Sequence, residues 1–503
     1  MRFIKSIFGR FIINTLLVIG QVALIAYFIS VLSERYIYVF LVTRIIAYLV
    51  VVLLVNKKQN PNLKIPWIVF ILITPIAGVI GYLAFGKQFF PKRRSKKYLY
   101  YENLLNKYLI DDSVKIDDKY VDQSNYLKRV SNFPMTKNNK LKYYSSGEDI
   151  YKDLIEDIKN AKEYIFLEFF IFSRGQLLNE LLDILKVKVK EGVDVRIIYD
   201  DIGSVRNLNI RFNKKVAKMG IKCLKFHPFI PFVSSAHNNR DHRKIIVIDG
   251  VICYTGGINI ADEYINLVHP FGYWKDNGLK IQGDAVNSML ALFLTTWNAN
   301  YKEKDQDFDH FFKKHNIQND VLVQPFGDGP KPIYNEYIGE NAYLNIINSA
   351  KKYLYITTPY LIVDYTILNQ LKSAAKRGVA VRIIVPHIPD KKIVFWITQS
   401  NYRELVESGV KVYEYTPGFI HSKYILVDDE ISILGTINFD YRSLVHHFEC
   451  ASLMLNLDIY DNLKNDFINV MNASQEKKIE DVKKVNIFKR LIVLIFDFFS
   501  PLL

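Results

Sequence analysis

Cysteine is nearly absent from this chain: Cys223, Cys253 and Cys450 are the only three in 503 residues. All lie in apolar surroundings without metal-ligand spacing. That excludes a disulfide framework and a cysteine-bound zinc, and three reduced core residues argue against an oxidising compartment. Histidine is scarce as well, 10 in all, so a pattern that repeats it carries weight. Acidic residues are outnumbered, 51 against 66 Lys and Arg, leaving a net charge of +15. Such a surplus suits a partner made of phosphates, either nucleic acid or an anionic membrane surface, and does not choose between them.

Long apolar runs are confined almost wholly to the first 90 residues. Segments 11–32, 37–55 and 66–85 each approach the roughly 20 residues that span a bilayer, and we read residues 1–90 as a membrane domain of three transmembrane helices. The first run is too long for a signal-peptide core and is followed by others, so cleavage is not expected. Pro75 and Gly78 inside the third run leave a re-entrant or surface-lying segment as its alternative. Arg44, near the start of the second run, can snorkel to the interface. Flanking charge does not decide the orientation: Arg2, Lys5, Arg10, Lys57, Lys58 and Lys64 stand on one side. Arg35, Lys87, Lys92, Arg93, Arg94, Lys96 and Lys97 stand on the other. The reduced cysteines and the denser basic cluster place the globular body on the cytoplasmic face of a multi-pass plasma-membrane protein. Residues 91–140 form a basic linker, helical in part. The tail, 476–503, ends NIFKRLIVLIFDFFSPLL, too charged for a good span and read as an interfacial helix or a flap on the membrane domain; packing on the soluble core is the bland alternative.

Between these ends the chain repeats itself. GVDVRIIYDD from Gly192 returns as GVAVRIIVPH from Gly378, KEYIFLEFFIF from Lys162 as KKYLYITTPYL from Lys351, and GIKCLKFHP from Gly220 as GVKVYEYTP from Gly409. The offset holds at 186 to 189 residues up to Pro228 and Pro417, then falls to 179, so the first copy carries about ten extra residues within 229–241. Each copy alternates short apolar strands with helical patterns, which predicts an α/β fold: two lobes, 141–318 and 319–475, each a mixed or parallel sheet between helices, related by a pseudo-twofold axis. A site between such lobes draws one set of groups from each.

After the length change the copies read HRKIIVIDGVICYTGGIN and HSKYILVDDEISILGTIN. His242, Lys244, Asp249 and Asn259 thus match His421, Lys423, Asp428 and Asn438 without a gap. In a strand, residues i and i+2 share a face, so each His and Lys project together, while Asp249 and Asp428 fall at the opposite parity, suited to accepting backbone or Lys hydrogen bonds. The Gly-Gly and Gly-Thr pairs open a turn where backbone approach is easy, and Asn259 and Asn438 can donate to a phosphate oxygen. Two imidazoles, two ammoniums and two carboxamides around one point suit a phosphoryl group whose negative charge spreads in the transition state. One neutral imidazole can attack phosphorus while the other, protonated, serves the leaving alkoxide. Opposite protonation states call for carboxylates at the rings, and Asp276 in GYWKD and Glu449 in HHFE, at similar distances past the motifs, are the candidates. An ammonium two residues from each His disfavours a metal there. His227, His237, His446 and His447 are read as structural or substrate-lining, and Glu168 and Tyr360 as either facing the cleft or packing.

The duplicated H-x-K-x4-D frame with G-[GT]-x-N resembles the phospholipase D superfamily, the HKD family, over about residues 141–475. The resemblance implies cofactor-free, metal-independent transfer through a phosphohistidine. It places His242, Lys244, Asp249, His421, Lys423 and Asp428 in the catalytic set, with Asn259 and Asn438 on the phosphate, His242 as nucleophile and His421 as general acid. PWIVFILITPIAGVIGYLAFG before a basic run, NFDYRSLVHHFE after the second motif, and the terminal FFSPLL are similar to bacterial cardiolipin synthases. That likeness implies joining two phosphatidylglycerol molecules into cardiolipin with release of glycerol, at a membrane rich in anionic lipid and without nucleic acid as partner. A phospholipase or another phosphatidyltransferase is the alternative, a nuclease a more distant one. A scaffold on a dead fold would show damage to one motif, and both are intact.

Overall fold

The computed structural model describes residues 37–86, 90–111, 114–228, 238–455, 459–483 and 486–502, with isolated positions between 16 and 31. The apolar run 11–32 therefore lies, but for those positions, outside the described residues, as do His237 and most of the ten-residue excess of the first copy. Among the described residues no helix is long and apolar enough to cross a membrane. The second run forms α1 (Ile37–Asn56). The third, expected as one span, is broken: α2 (Pro61–Ile73) ends at Thr74, and Pro75, which has no N–H to continue the ladder, starts α3 (Pro75–Gly81). The two fold together so closely that a Cβ on Gly78 would stand 2.4 Å from Ile71 Cα. Ala47, Leu54, Trp67, Ile71 and Tyr82 form a small core among these helices, while Leu41, Val42, Ile45, Leu49, Val52 and Leu53 are exposed.

Residues 91–140 are not a free linker. Helices α4 (Lys92–Leu105) and α5 (Asp118–Ser131) pack on the lobes, α4 along the central helix α6 (Ala285–Asn300). Tyr98 on α4 accepts a hydrogen bond from Asn300 at 2.6 Å and stacks on Phe448. The aromatic residues scattered through the basic run are what attach it.

The first lobe holds β1 (Asn139–Tyr144), β2 (Tyr164–Phe169), β3 (Asp194–Asp200), β4 (Lys222–Phe226), β5 (Ile245–Ile248), β6 (Ile252–Gly256), β7 (Tyr273–Lys275) and β8 (Gly278–Gly283). The second holds β9 (Leu322–Asp328), β10 (Tyr353–Thr357), β11 (Leu361–Ile362), β12 (Ala380–Pro386), β13 (Lys411–Tyr415) and β14 (Gly418–Ile420). It continues with β15 (Tyr424–Val427), β16 (Ile431–Gly435), β17 (Phe439–Asp440), β18 (Glu449–Leu455) and β19 (Ser474–Lys477). The main sheets run β1-β8-β6-β5-β2-β3-β4 and β9-β18-β16-β15-β10-β12-β13-β19. Strand for strand these are the same sheet, with β19 an extra edge. In each, the neighbours joined by a helical crossover (β2-β3-β4 and β10-β12-β13) are parallel and the rest antiparallel. The mixed α/β architecture expected from the repeat is present.

One core runs through both lobes: Phe166, Val247 and Ile281 share it with Leu354, Ile425 and Leu453. Helix α6, buried at every position but its last, lies against β5, β8 and β9 and fills the seam. At about 1.5–3 kcal/mol for each fully buried large apolar side chain, the seam fixes the lobes relative to one another. The seam also holds charge. Arg243 donates to Thr296 at 2.6 Å and pairs with Glu168 at 3.0 Å and Asp241 at 3.1 Å. Glu168 therefore belongs to the packing of the interface. Tyr360 donates to Asp390 at 2.6 Å and accepts from Lys391.

Candidate active site

His242 and Lys244 precede β5, and His421 and Lys423 precede β15, so all four lie just outside the strands that the i, i+2 pattern suggested. Their own sheet does not hold them; the opposite lobe does. The His242 N–H donates to the Phe448 carbonyl at 2.9 Å, and the His421 N–H donates to the Lys275 carbonyl at 2.7 Å. Phe448 and Lys275 are each followed by a carboxylate, so each bridge brings that carboxylate to the bridged ring. His242 Nδ1 lies 2.9 and 3.0 Å from Glu449 Oε1 and Oε2, and His421 Nδ1 lies 2.7 Å from Asp276 Oδ2. Each histidine thus takes its carboxylate from the other lobe.

A carboxylate at Nδ1 accepts the ring N–H there and leaves the Nε2 lone pair free. Lys244 and Lys423 each donate Nζ to the carbonyl of their own histidine. All four groups are buried. Burial, then the two ammoniums, holds the His242 ring well below its usual range; burial and Lys423 bring His421 to about 4 despite the opposing pull of Asp276. Burial likewise lowers Lys244 to about 8 and Lys423 to about 7. For Asp276 burial acts upward, but His421 and Lys423 outweigh it and the group stays below the ordinary carboxylate range. Two ammoniums and two carboxylates nearly cancel, so an entering phosphodiester anion leaves room for one more proton, on an imidazole.

The remaining expected residues divide. Asp249 and Asp428, grouped with the catalytic set, are far from the rings. Asp249 accepts from the N–H groups of Lys162, Glu163 and Tyr164 at 2.7 to 2.8 Å. Asp428 does the same for Lys351, Lys352 and Tyr353. Both have left-handed backbone, φ 52 and 57. Their work is to lock β5 and β15 to β2 and β10, as the strand parity suggested. Asn259 is buried with its amide engaged: Oδ1 accepts from Ile171 N at 3.0 Å and Nδ2 donates to the Tyr264 hydroxyl at 2.8 Å. Asn438 lies buried beside Asp440, its Oδ1 without a hydrogen-bond partner among the described residues.

Several residues take parts at the site beyond those the sequence suggested. Gly257 matters less for its turn than for its missing side chain: a Cβ there would stand 1.9 Å from Asp276 Oδ1. At the matching position Thr436 donates its hydroxyl to Glu449, so the halves are not equivalent. Trp274 donates Nε1 to Asp276 at 3.3 Å and, with Tyr264, walls His421; Phe170 walls His242. His447 Nδ1 lies 3.6 Å from Glu449 Oε1, and its ring adjoins that of His242. Its spacing, two before Glu449, was the available signal. His227 is structural: its Nδ1 contacts the Asn239 carbonyl at 3.0 Å and its ring stacks on Phe226. The ligand atoms of His242, His447 and Glu449 fall within 4.8 Å of one another. Glu449, however, is occupied by the His242 ring and the Thr436 hydroxyl, and the Lys244 ammonium shares the cavity, which suits an anion better than a cation.

A histidine and a lysine from each of two like lobes thus meet at the seam, each histidine set against the other lobe's carboxylate. Comparison with known proteins agrees. The model described as "Cardiolipin synthase, PLD-like domain" matches residues 154–285 and 343–471, and one described as "Phospholipase_D-nuclease N-terminal" matches 45–87. Cardiolipin synthase 1 of Staphylococcus aureus (strain COL) is 36% identical over 441 residues, covering 85% of this chain and 88% of its own length. Cardiolipin synthase 1 of Staphylococcus epidermidis (strain ATCC 35984) is 33% identical over 468 residues, 89% of this chain and 94% of its own. An uncharacterized protein of Streptococcus mutans serotype c is 39% identical over 462 residues, 90% and 99% respectively. In fold, the crystal structure of phosphatidylserine synthase from Haemophilus influenzae Rd KW20 superposes with a TM-score of 0.59 at 16% identity, covering 77% of this chain and all of the other. The chain belongs to the cardiolipin synthase family of phospholipase D-like proteins, and is an enzyme of the phosphatidyltransferase type.

Proposed function

We propose that the enzyme joins two phosphatidylglycerol molecules into cardiolipin, releasing glycerol, through a phosphatidyl-histidine intermediate. The observation that carries this reading is the crossed pair of histidine–carboxylate contacts with a buried lysine beside each ring. His242 Nε2 attacks phosphorus, the P–O bond to the glycerol headgroup breaks, and His421 Nε2–H gives its proton to the departing oxygen. The primary hydroxyl of a second phosphatidylglycerol then gives its proton to His421 and attacks phosphorus, and the P–N bond breaks to regenerate His242. Lys244 and Lys423 balance the charge on the non-bridging oxygens. Glu449, with the Thr436 hydroxyl, steadies the ring that becomes bonded to phosphorus; Asp276 steadies the ring that shuttles the proton.

Membrane attachment through the N-terminal apolar segments fits this chemistry, since donor and acceptor are both held in a leaflet, and the net charge of +15 favours anionic lipid. Asn62 donates to the Tyr441 hydroxyl at 2.9 Å, tying α2 to the NFDYRS stretch, and Asn60, just ahead of α2, donates to Asp364 at 2.8 Å.

The test is product analysis on phosphatidylglycerol vesicles in the presence of a chelator. Equimolar cardiolipin and glycerol, lost in both His242→Ala and His421→Ala, is the expected result. Phosphatidic acid and glycerol without cardiolipin would instead mean hydrolysis.

A further inference from the structure

The C-terminal helix α8 (Ile487–Phe499) buries only Val493 and turns most of its apolar side chains outward. The stripe turned toward the protein carries half-buried Lys489 and buried Val493, and buried Ser500 follows the helix end. Lys489 donates to Gln399 at 2.7 Å and lies over the Trp396 ring on helix α7 (Lys392–Ser400). The outward face is mainly apolar, with Ile487, Phe488, Leu491, Ile492, Leu494, Ile495 and Phe499 exposed (Phe488 73% and Leu494 66%) and Arg490 among them. A helix that buries one apolar side chain and shows most of its hydrocarbon is stable only where that face meets something apolar.

Its surroundings say what that is. On one side the apolar exposure continues onto Ile393 of α7, which packs on α8. On the other, residues Ser500–Leu502 pack against α2, which belongs to the exposed apolar N-terminal helices. Exposed Lys392, Lys483 and Arg490 flank the patch. At about 20 Å long, from 1.5 Å per residue, α8 is too short to cross a bilayer and suited to lying in one. Beyond it the chain turns inward, Ser500 is buried, and the Pro501 carbonyl lies 3.4 Å from His446 Nε2. His446 begins the HHFE stretch that carries His447 and Glu449.

We propose that α8 lies in the interfacial zone of an anionic lipid leaflet, apolar stripe among the acyl chains, and that its end holds the His446–Glu449 stretch at the membrane surface where lipid headgroups enter. The second part rests on the phosphatidyltransfer reading; the first does not. The test uses the full chain in phosphatidylglycerol/phosphatidylcholine vesicles. A nitroxide is placed at Leu494→Cys in a Cys223→Ser background, with Lys483→Cys as the solvent control. The label at 494 should collide with oxygen far more than with a water-soluble nickel complex, while that at 483 should not. Nickel access at 494 in vesicles, or shielding from both quenchers in detergent solution through a second copy of the chain, would overturn the lipid assignment.

In the second arm, Leu494→Glu with Ile495→Glu should lower the ratio of turnover on vesicles to turnover on dispersed short-chain phosphatidylglycerol at least tenfold. An unchanged ratio would overturn the link to the site. A parent enzyme inactive on both substrates, with the label at 494 still lipid-exposed, would sink the transfer reading and leave the lipid-seated helix standing.

Discussion

Replacing Asp276 by Asn changes one atom, and the structure indicates how much that atom is worth. Asp276 Oδ2 accepts from His421 Nδ1 at 2.7 Å and from Trp274 Nε1 at 3.3 Å, and Oδ1 accepts from the Asn277 N–H at 2.9 Å. Every neighbour is a donor. Whichever way an amide turned, its NH2 would face one of them. Turned toward His421, it forces the ring to move its proton to Nε2, the wrong tautomer for taking a proton from the incoming alcohol. Turned toward Asn277, it leaves a buried N–H unpaired and still withdraws the negative charge that supports an imidazolium. A tautomer error of this kind is worth about 10³–10⁴ in turnover, or about 4–5.5 kcal/mol of barrier, against a folding cost of only about 1–3 kcal/mol for the unpaired group. The assay is cardiolipin formation by the folded variant, with thermal unfolding measured beside it. Turnover within tenfold of the parent in a variant of normal stability would refute the argument that Asp276 sets the state of His421.

Other consequences follow from the same contacts. Free Lys423 and Lys244 lose charge as pH rises through about 7 and about 8, and bound phosphodiester raises both. Values of kcat/KM should therefore fall above neutral pH while kcat holds to higher pH; a flat kcat/KM profile between about pH 6 and 9 contradicts this. Because His421 is neutral in the free enzyme at pH 6, where Lys423 and Lys244 are still charged, binding an unreactive phosphodiester at that pH should take up close to one proton, read by calorimetry in buffers of different ionisation enthalpy. Zero uptake would mean the acid is another group. Asp249→Ala and Asp428→Ala each strip three backbone N–H groups of their acceptor and should lower stability by about 2–4 kcal/mol, with kcat of the folded fraction nearly unaltered. Glu168→Ala leaves Arg243 buried with less of its compensating charge and should cost about 3–5 kcal/mol in urea unfolding.

Much of this arrangement was legible in the sequence because it was written twice. The repeat at offsets of 179 to 189 residues anticipated two like lobes, and the sheets have the same strand order. Asp276 and Glu449 could be singled out because they stand similarly past their motifs, although the crossing of each to the other lobe's histidine could not. That crossing depends on backbone bridges between residues about 150–200 positions apart, which impose no local periodicity. The same reason hid the contact of Thr436 with Glu449 and the place of His447 beside His242, and it hid the clearance that Gly257 gives Asp276. The basic run 91–140 reads as linker by charge, yet Phe90 and Tyr98 at its head stack around Phe448 and make it part of the body. In the third apolar run hydropathy outweighed Pro75 and Gly78, and those two residues decided the shape.

The account turns on His242 carrying the phosphatidyl group. The measurement is rapid alkaline denaturation of enzyme turning over phosphatidylglycerol, followed by peptide mapping by mass spectrometry under conditions that preserve phosphoramidates. An adduct on His242 is predicted, with none in His242→Ala. An adduct on His421, or cardiolipin formation with none on either histidine, would contradict it.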